Sequence, residues 1–500
     1  MIMAVDARDL AVLTHLTYLD PGNSFINDKD LGLDSPWSSK NINNSIGKPL
    51  SKILIGYDSS LKRKGDDSDA GRTTGSEWAR SVSNARTDPD LKRLILVDAM
   101  GNGTTGSMAL TFRDPTTGAT YVIFKGTGEG EWEDNLAGTH EMDTDGQREA
   151  ADYVRRIHEK YPGKLVVAGH SKGGNKAMYS TVATGVVDEC YSFDGQGFGR
   201  NFLDFYKKEI ERYRNRIHAY NLDNDFVSPL MQSIAGDIHY VKGNRIGMDF
   251  GKLHSLAAFF DKDMKISETE QGVIGKEIGR FTDHVLNTVS DENMVRLSGY
   301  IGVLASLMLS KGMSFTDAIA EAERRYPGGT VLLVAALSTY DRLDEFMAAI
   351  GRVFGPTGSR TAGSAMKALQ IAANTYIASG KKNVSVDFYA GSQDVRDFSE
   401  ETERKLLGII DDIDGEKWWD VTKWDVGYRF ENWTGHLTIG NYRNDMQQYW
   451  RKQMDIKGTK AEDIKSIFSK AREREKQYAA EVRRQAEAIR NAAGQLDAIL

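Results

Sequence analysis

Residues 169–173 read Gly-His-Ser-Lys-Gly, directly after the apolar run Lys164–Ala168. A serine between glycines at this spacing is the signature of a nucleophile elbow, in which a strand breaks into a sharp turn that opens a helix. Strain in such a turn holds the hydroxyl out toward a substrate, and the glycines let strand and helix approach where a Cβ would clash. The helix dipole opening at Ser171 favours negative charge that develops beside it. A serine that transfers acyl groups also needs a base, an orienting acid and an oxyanion hole. In elbow enzymes the acid and then the histidine follow the serine along the chain. Five histidines lie downstream: His218, His239, His254, His284 and His436. The acid candidates are Asp223 and Asp225, in the polar turn Asn221-Leu-Asp-Asn-Asp-Phe-Val-Ser-Pro229 that closes an apolar segment. His254, after the Gly-Lys-Leu of residues 251–253, occupies a loop position suited to the base, and His239, in a strand-like Ile-His-Tyr, is second.

These groups need a frame, and the flanking sequence predicts one. Apolar spacing predicts a helix over Asp9–Tyr18, and the polar, Gly- and Ser-punctuated stretch Gly22–Asp90 reads as loop-rich. Lys92–Asp98 reads as a strand. Ser107–Arg113 and Ala119–Phe124 flank Asp-Pro-Thr-Thr-Gly, a hairpin turn. Gly146–Tyr161 is an amphipathic helix, Lys164–Ala168 feeds the elbow, and a helix follows over Asn175–Thr184. Tyr191–Phe193 and Ile217–Asn221 are further strands. Strands alternating with helices predict an α/β fold with a mostly parallel sheet covered on both faces. Three regions are expected: residues 1–262, a helical region 263–400, and 401–500, which holds Trp418, Trp419, Trp424, Trp433 and Trp450 and a long helix from about Lys460. That helix carries a heptad-like seam from Ile464 to Ile499, fit to pack on the chain's own core or on a partner helix.

Composition narrows the function classes. The 500 residues hold 40% hydrophobic and 27% charged side chains, an ordinary globular balance, and suffice for several domains, because single cores rarely grow past roughly 250–300 residues. A net charge of −7 speaks against a nucleic-acid partner, which needs a basic face. Cys190 is the one cysteine, so no disulfide framework exists. Met1–Leu13 contains Asp6, Arg8 and Asp9 and no secretory signal. The apolar stretches Gly299–Ser310 and Thr330–Ser338 fall short of the ~20 residues of a membrane span and read as buried core. A cytoplasmic protein, or one exported without a signal peptide, is expected.

Other motifs carry less chemistry. Glu141-x-Asp143-x-Asp145-Gly146 with Asp152 departs from a calcium loop at its first position and reads as a helix cap. Asp411–Gly415 is out of register for calcium as well, and residues 101–106 form a glycine turn without the Lys-Ser of a phosphate loop. The tryptophans after residue 417 alternate with charges, as in a half-buried core.

Phe124-Lys125-Gly126-Thr127, followed by Trp132 and Asp134, resembles the Phe-Arg-Gly-Ser/Thr…Trp…Asp signature of class 3 lipases. Gly169–Gly174 is similar to their Gly-His-Ser-x-Gly-Gly elbow, and Asn224-Asp225-Phe226-Val227 to their acid turn. A bacterial lipase-like branch of that group shares the opening Leu13–Leu19 pattern and the Phe-Asp-Gly-x-Gly-Phe run of Phe193–Phe198. The resemblance covers residues 9–260. It implies an α/β-hydrolase domain and favours Asp225 over Asp223 in a Ser171–His254–Asp225 triad. It also implies an oxyanion hole from Thr127 and the amide of Lys172. Lys125 stands where the family carries arginine. The implied activity is hydrolysis of acyl esters of lipids, acylglycerol or phospholipid, at a transiently contacted membrane surface, with no metal or cofactor; a non-catalytic scaffold is the alternative. The layout, a lipase half joined to a helical half, resembles lipase effectors of type VII secretion, whose helical part binds small helical proteins. Tyr478-Ala-Ala-Glu481 is one residue short of their export signal.

Overall fold

The computed structural model describes residues 5–21, 34–69, 73–101, 107–127, 137–139, 141–244, 250–311, 313, 315–343 and 345–349, with single positions at 363, 365 and 369. The chain divides into two compact units, Met1–Leu286 and Asn287–Leu500. Trp132, Asp134, His436, the later tryptophans, Asp411–Gly415, most of residues 101–106 and the C-terminal helix with its seam lie outside the described residues.

The first unit is built on an eight-stranded sheet: β1 Ile95–Gly101, β2 Met108–Arg113, β3 Thr120–Phe124, β4 Leu165–His170, β5 Glu189–Phe193, β6 Ile217–Leu222, β7 Asp237–Val241 and β8 Glu268–Thr269. Spatial order follows chain order from one edge to the other. Strands β3 to β7 run parallel, and β1, β2 and β8 join antiparallel. The β2–β3 hairpin turns at Asp114–Gly118, whose Asp114 side chain accepts from the Thr116 N–H at 2.8 Å and from the Thr117 hydroxyl at 3.0 Å. Side chains alternate between the two faces of the sheet. Tyr121, Ile123, Val166 and Ala168 join one core, while Val122, Phe124, Leu165 and Val167 join the other.

Successive right-handed crossovers that always advance in one direction place their helices on one face. Helix α3, Asp145–Lys160, and helix α4, Lys172–Thr184, accordingly share the second core through Ala150, Val154, Ala177 and Met178. Thr144 and Gln147 form a reciprocal capping box at the start of α3, so this segment does cap the helix, through Thr144 and Gln147 and not through the carboxylates around them. The opposite face is covered by α1, Ala7–Leu16, and α2, Gly75–Thr87.

Helix α2 corrects the loop-rich reading of Gly22–Asp90. Its apolar content is low, but Trp78, Val82 and Ala85 fall at i, i+4 and i+7 and are buried. Thr74 and Glu77 close a capping box at its start, the local signal that a hydrophobicity reading passes over. Shorter helices, Ser39–Ser45, Leu50–Ile53 and Tyr57–Lys62, fill the same stretch.

Beyond the sheet follow α5, Val273–Thr288, α6, Asp291–Lys311, α7, Phe315–Arg325, and α8, Gly329–Thr339. In the second unit Tyr300, Leu297, Ile319, Leu332 and Ala336 are buried, and the Thr330 hydroxyl donates to the Tyr300 oxygen at 3.0 Å. No helix among the described residues is long and apolar enough to cross a membrane.

Candidate active site

Ser171 follows β4 directly and stands at the N-cap of α4 with φ 57° and ψ −124°, a left-handed backbone that L-residues rarely adopt. Its own N–H is held by the Phe193 carbonyl at 2.9 Å. A serine at this position ordinarily caps the helix with its side chain. Here it makes no capping bond. The two glycines are required by close approach. A Cβ on Gly169 would lie 2.2 Å from the Gly173 carbonyl oxygen, and one on Gly173 would lie 2.5 Å from that of Phe124.

Asp225 sits just past β6, fully buried. Its Oδ2 accepts from the backbone N–H groups of Val227 at 3.1 Å and Ser228 at 2.5 Å. Its Oδ1 lies 2.7 Å from His254 Nδ1. With Nδ1–H donated to the carboxylate, His254 Nε2 keeps its lone pair, and among the described residues that atom has no hydrogen-bond partner. His254 lies in the turn between the short helix Phe250–Leu253 and the 3-10 turn Leu256–Phe259, and its ring centroid is 4.5 Å from that of His170, the residue before the serine.

The other candidates are engaged elsewhere. Asp223 accepts from the Gly243 N–H at 3.1 Å and from Asn224 Nδ2 at 3.1 Å, which ties the turn together. His239 pairs with Asp237 at 2.8 Å and Glu268 at 3.2 Å. His218 bonds the second Asp237 oxygen at 2.7 Å. Both are spent on an exposed ion cluster on neighbouring strands. His284 lies on α5.

The parallel register pairs Phe124 with Gly169, which sets the loop Lys125–Thr127 alongside the elbow. A Cβ on Gly126 would come within 3.0 Å of the His170 carbonyl oxygen. Lys172 opens α4 with its side chain fully buried, and a first helical N–H has no intrahelical acceptor. Lys172 thus directly follows the serine, and Thr127 directly follows the glycine that lies against the His170 carbonyl. Lys125 forms an ion pair with Asp20 and lies 5.9 Å from the Tyr18 ring centroid, so it anchors the loop.

Three residues of the site escape a motif reading. Tyr18 Oη lies 2.6 Å from His170 Nδ1. His170 Nε2 lies 3.9 Å from Asp194 Oδ2. Asp194, one residue past β5 with φ 46°, is fully buried and accepts from the Leu222 N–H at 2.7 Å. Burial first, and then the neighbouring Asp225 carboxylate, pushes the Asp194 carboxyl well above the usual carboxylate range, although the Leu222 N–H works against this. The signals were present: Tyr18 in the Leu13–Leu19 pattern, His170 inside the elbow, and Asp194 in Phe193–Phe198. None of these patterns assigns a role to its polar residue.

Comparison with known proteins gives a partial placement. No curated protein matches the chain in sequence. Similar solved structures include a triacylglycerol lipase from Penicillium expansum, 16% identical over 36% of this chain and 74% of that one, at a TM-score of 0.24. The Rhizomucor miehei lipase–propeptide complex is 14% identical over 45% and 81%, at 0.26. Lipase II from Rhizopus niveus is 12% identical over 41% and 82%, at 0.24. Residues 96–291, the stretch that holds Thr127, Ser171, Asp225 and His254, match the model of the Mbeg1-like family.

Proposed function

We propose that the first unit is a serine ester hydrolase that cleaves acyl esters of lipids, acylglycerol or phospholipid, through an acyl-enzyme. The observation that carries this reading is the 2.7 Å pair of His254 Nδ1 and buried Asp225, with the imidazole centroid 4.5 Å from that of His170, the residue before a serine of strained backbone that makes no capping bond. In this mechanism Ser171 Oγ attacks the ester carbonyl and His254 Nε2 takes its proton. Asp225 fixes the tautomer and stabilises the imidazolium. The amides of Thr127 and Lys172 bind the oxyanion, each such donor contributing about 3–4 kcal/mol of transition-state stabilisation. His254 then protonates the leaving alcohol, and water attacks the acyl-serine with the same base. The lipid substrate class and the surface contact rest on the class 3 lipase resemblance. The export route and helical partners rest on the layout and sequence after residue 400.

Labelling by a fluorophosphonate tests the reading. Wild type reacts and Ser171→Ala does not; an inert wild type overturns the reading in favour of a scaffold, and equal labelling of both overturns Ser171 as the nucleophile. Lipid profiles of wild type against Ser171→Ala then identify the ester.

A further inference from the structure

His170, Asp194 and His254 each offer one ligand atom, and these three atoms lie within 4.8 Å of one another; we propose that the three residues form a site for one divalent cation of the zinc class. Two imidazoles and a carboxylate are a donor set suited to zinc. Tetrahedral coordination at 2.0–2.1 Å places donor atoms about 3.3 Å apart, so the three must draw together by roughly an ångström, a side-chain adjustment. A water would complete the sphere.

Three observations point to a cation here. Each donor is already held from behind, as ligands at metal sites are. Asp225 orients His254 at 2.7 Å, Tyr18 orients His170 at 2.6 Å, and the Leu222 N–H holds the far oxygen of Asp194 at 2.7 Å. Next, Asp194 Oδ2 and His254 Nε2 are buried and have no hydrogen-bond partner among the described residues. Finally, Asp194 and Asp225 are both fully buried, and among the described residues no lysine or arginine pairs with either carboxylate. Two neighbouring buried carboxyls require either a proton on one of them or a counter-charge, and a cation between the two histidines would supply the counter-charge in place of the proton.

The consequence rests on the hydrolase reading. A metal on His254 Nε2 occupies the lone pair that must accept the serine proton, so the filled site is the inhibited state and release of the metal restores the base. Metal binding itself does not depend on that reading.

The test is a titration of full-length, chelator-treated protein with Zn2+ against a chromogenic zinc indicator, run beside Asp194→Asn and His170→Gln. One Zn2+ per chain is expected for wild type, with affinity about tenfold or more weaker in each variant. Absence of binding by wild type overturns the proposal, as does unchanged affinity in both variants. Should a variant fail to fold, zinc-edge X-ray absorption of the loaded wild type decides. Two imidazoles in the coordination shell support the site, and an all-oxygen shell, as from the Asp9, Asp88 and Asp90 cluster, overturns it. Zn2+ should also protect Ser171 from the fluorophosphonate, and undiminished labelling of zinc-loaded protein overturns the inhibitory role. A wild type that binds Zn2+ through two histidines yet never labels supports the site while removing the hydrolase reading.

Discussion

The strained serine makes a prediction about stability that no ordinary surface position makes. Ser171 holds φ 57° and ψ −124°, a conformation that costs a non-glycine residue about 1–3 kcal/mol and persists only where the surroundings impose it. Those surroundings are visible: the Phe193 carbonyl clamps its N–H at 2.9 Å, and the Asn175 N–H bonds its carbonyl at 3.1 Å. Glycine adopts this backbone freely but adds about 0.5–1 kcal/mol of chain entropy to the unfolded state. Ser171→Gly should therefore be more stable than Ser171→Ala by about 1–2 kcal/mol, the alanine retaining the strain and removing only the hydroxyl. That corresponds to a rise of roughly 2–3 °C in the melting transition of a unit this size. Urea unfolding read by pulse proteolysis of the segment carrying the elbow gives the difference directly, and neither variant should react with a fluorophosphonate. Equal stability of the two variants, or a less stable Ser171→Gly, would refute the claim that strain is stored at the serine.

Four further outcomes follow from the same geometry. Asp225→Asn should lower ester turnover by about 10⁴-fold, since an amide cannot hold His254 in the required tautomer; steady-state rates on a chromogenic ester measure it. Gly173→Ala should fail to accumulate as folded protein, because its Cβ meets backbone oxygens of Phe124 and Lys125 at 2.5 and 2.6 Å, and soluble yield beside Gly101→Ala, where the Cβ meets open space, checks this. Burial works to raise the pKa of Asp114, but the Arg93 fork and the Thr116 and Thr117 donors bring it down to about 2, below its ordinary 3.8. Its contribution, about 2 kcal/mol, is present above pH 4 and fades as pH falls toward 2, so Asp114→Asn should destabilise the hairpin at neutral pH and progressively less below pH 4, as hydrogen exchange over residues 108–124 will report. Burial pushes the Cys190 thiol up to about 12, so iodoacetamide should leave native protein unmodified and react only after unfolding.

Much of the frame was legible because its signals are local. The turn residues Asp114–Gly118 announced the hairpin, the elbow announced a strand and a helix, and the acid turn announced the end of β6. Helix α2 was missed for a local reason of another kind: its buried face is only Trp78, Val82 and Ala85 among serines and charges, too thin a stripe for periodicity to dominate. The base was harder. His254 ranks ahead of His239 in sequence only for its loop position, and it is the fold that shows β7 and β8 committing His239 to Asp237 and Glu268 while the segment between them brings His254 to Asp225.

What no local signal could supply is the layer formed by strand ends. In a parallel sheet whose chain order is its spatial order, consecutive strands deliver their C-terminal ends side by side, which is where such folds gather chemistry. Ser171 is one residue past β4, Asp194 one past β5, and Asp225 three past β6. The register pairs His170 with Phe193, and Phe193 with Tyr220. A motif reading treats Ser171 and Asp225 as two points of a known constellation and passes over the strand between them. The sheet cannot pass over it: β5 must end between β4 and β6, and whatever follows Phe193 lies between the elbow and the acid turn. That residue is an aspartate, where a small apolar side chain would satisfy packing alone. A fully buried carboxyl placed there beside His170 and near a second buried carboxylate carries a desolvation cost that packing does not require. A counter-ion or proton at that point is the physical reason such a residue is tolerated.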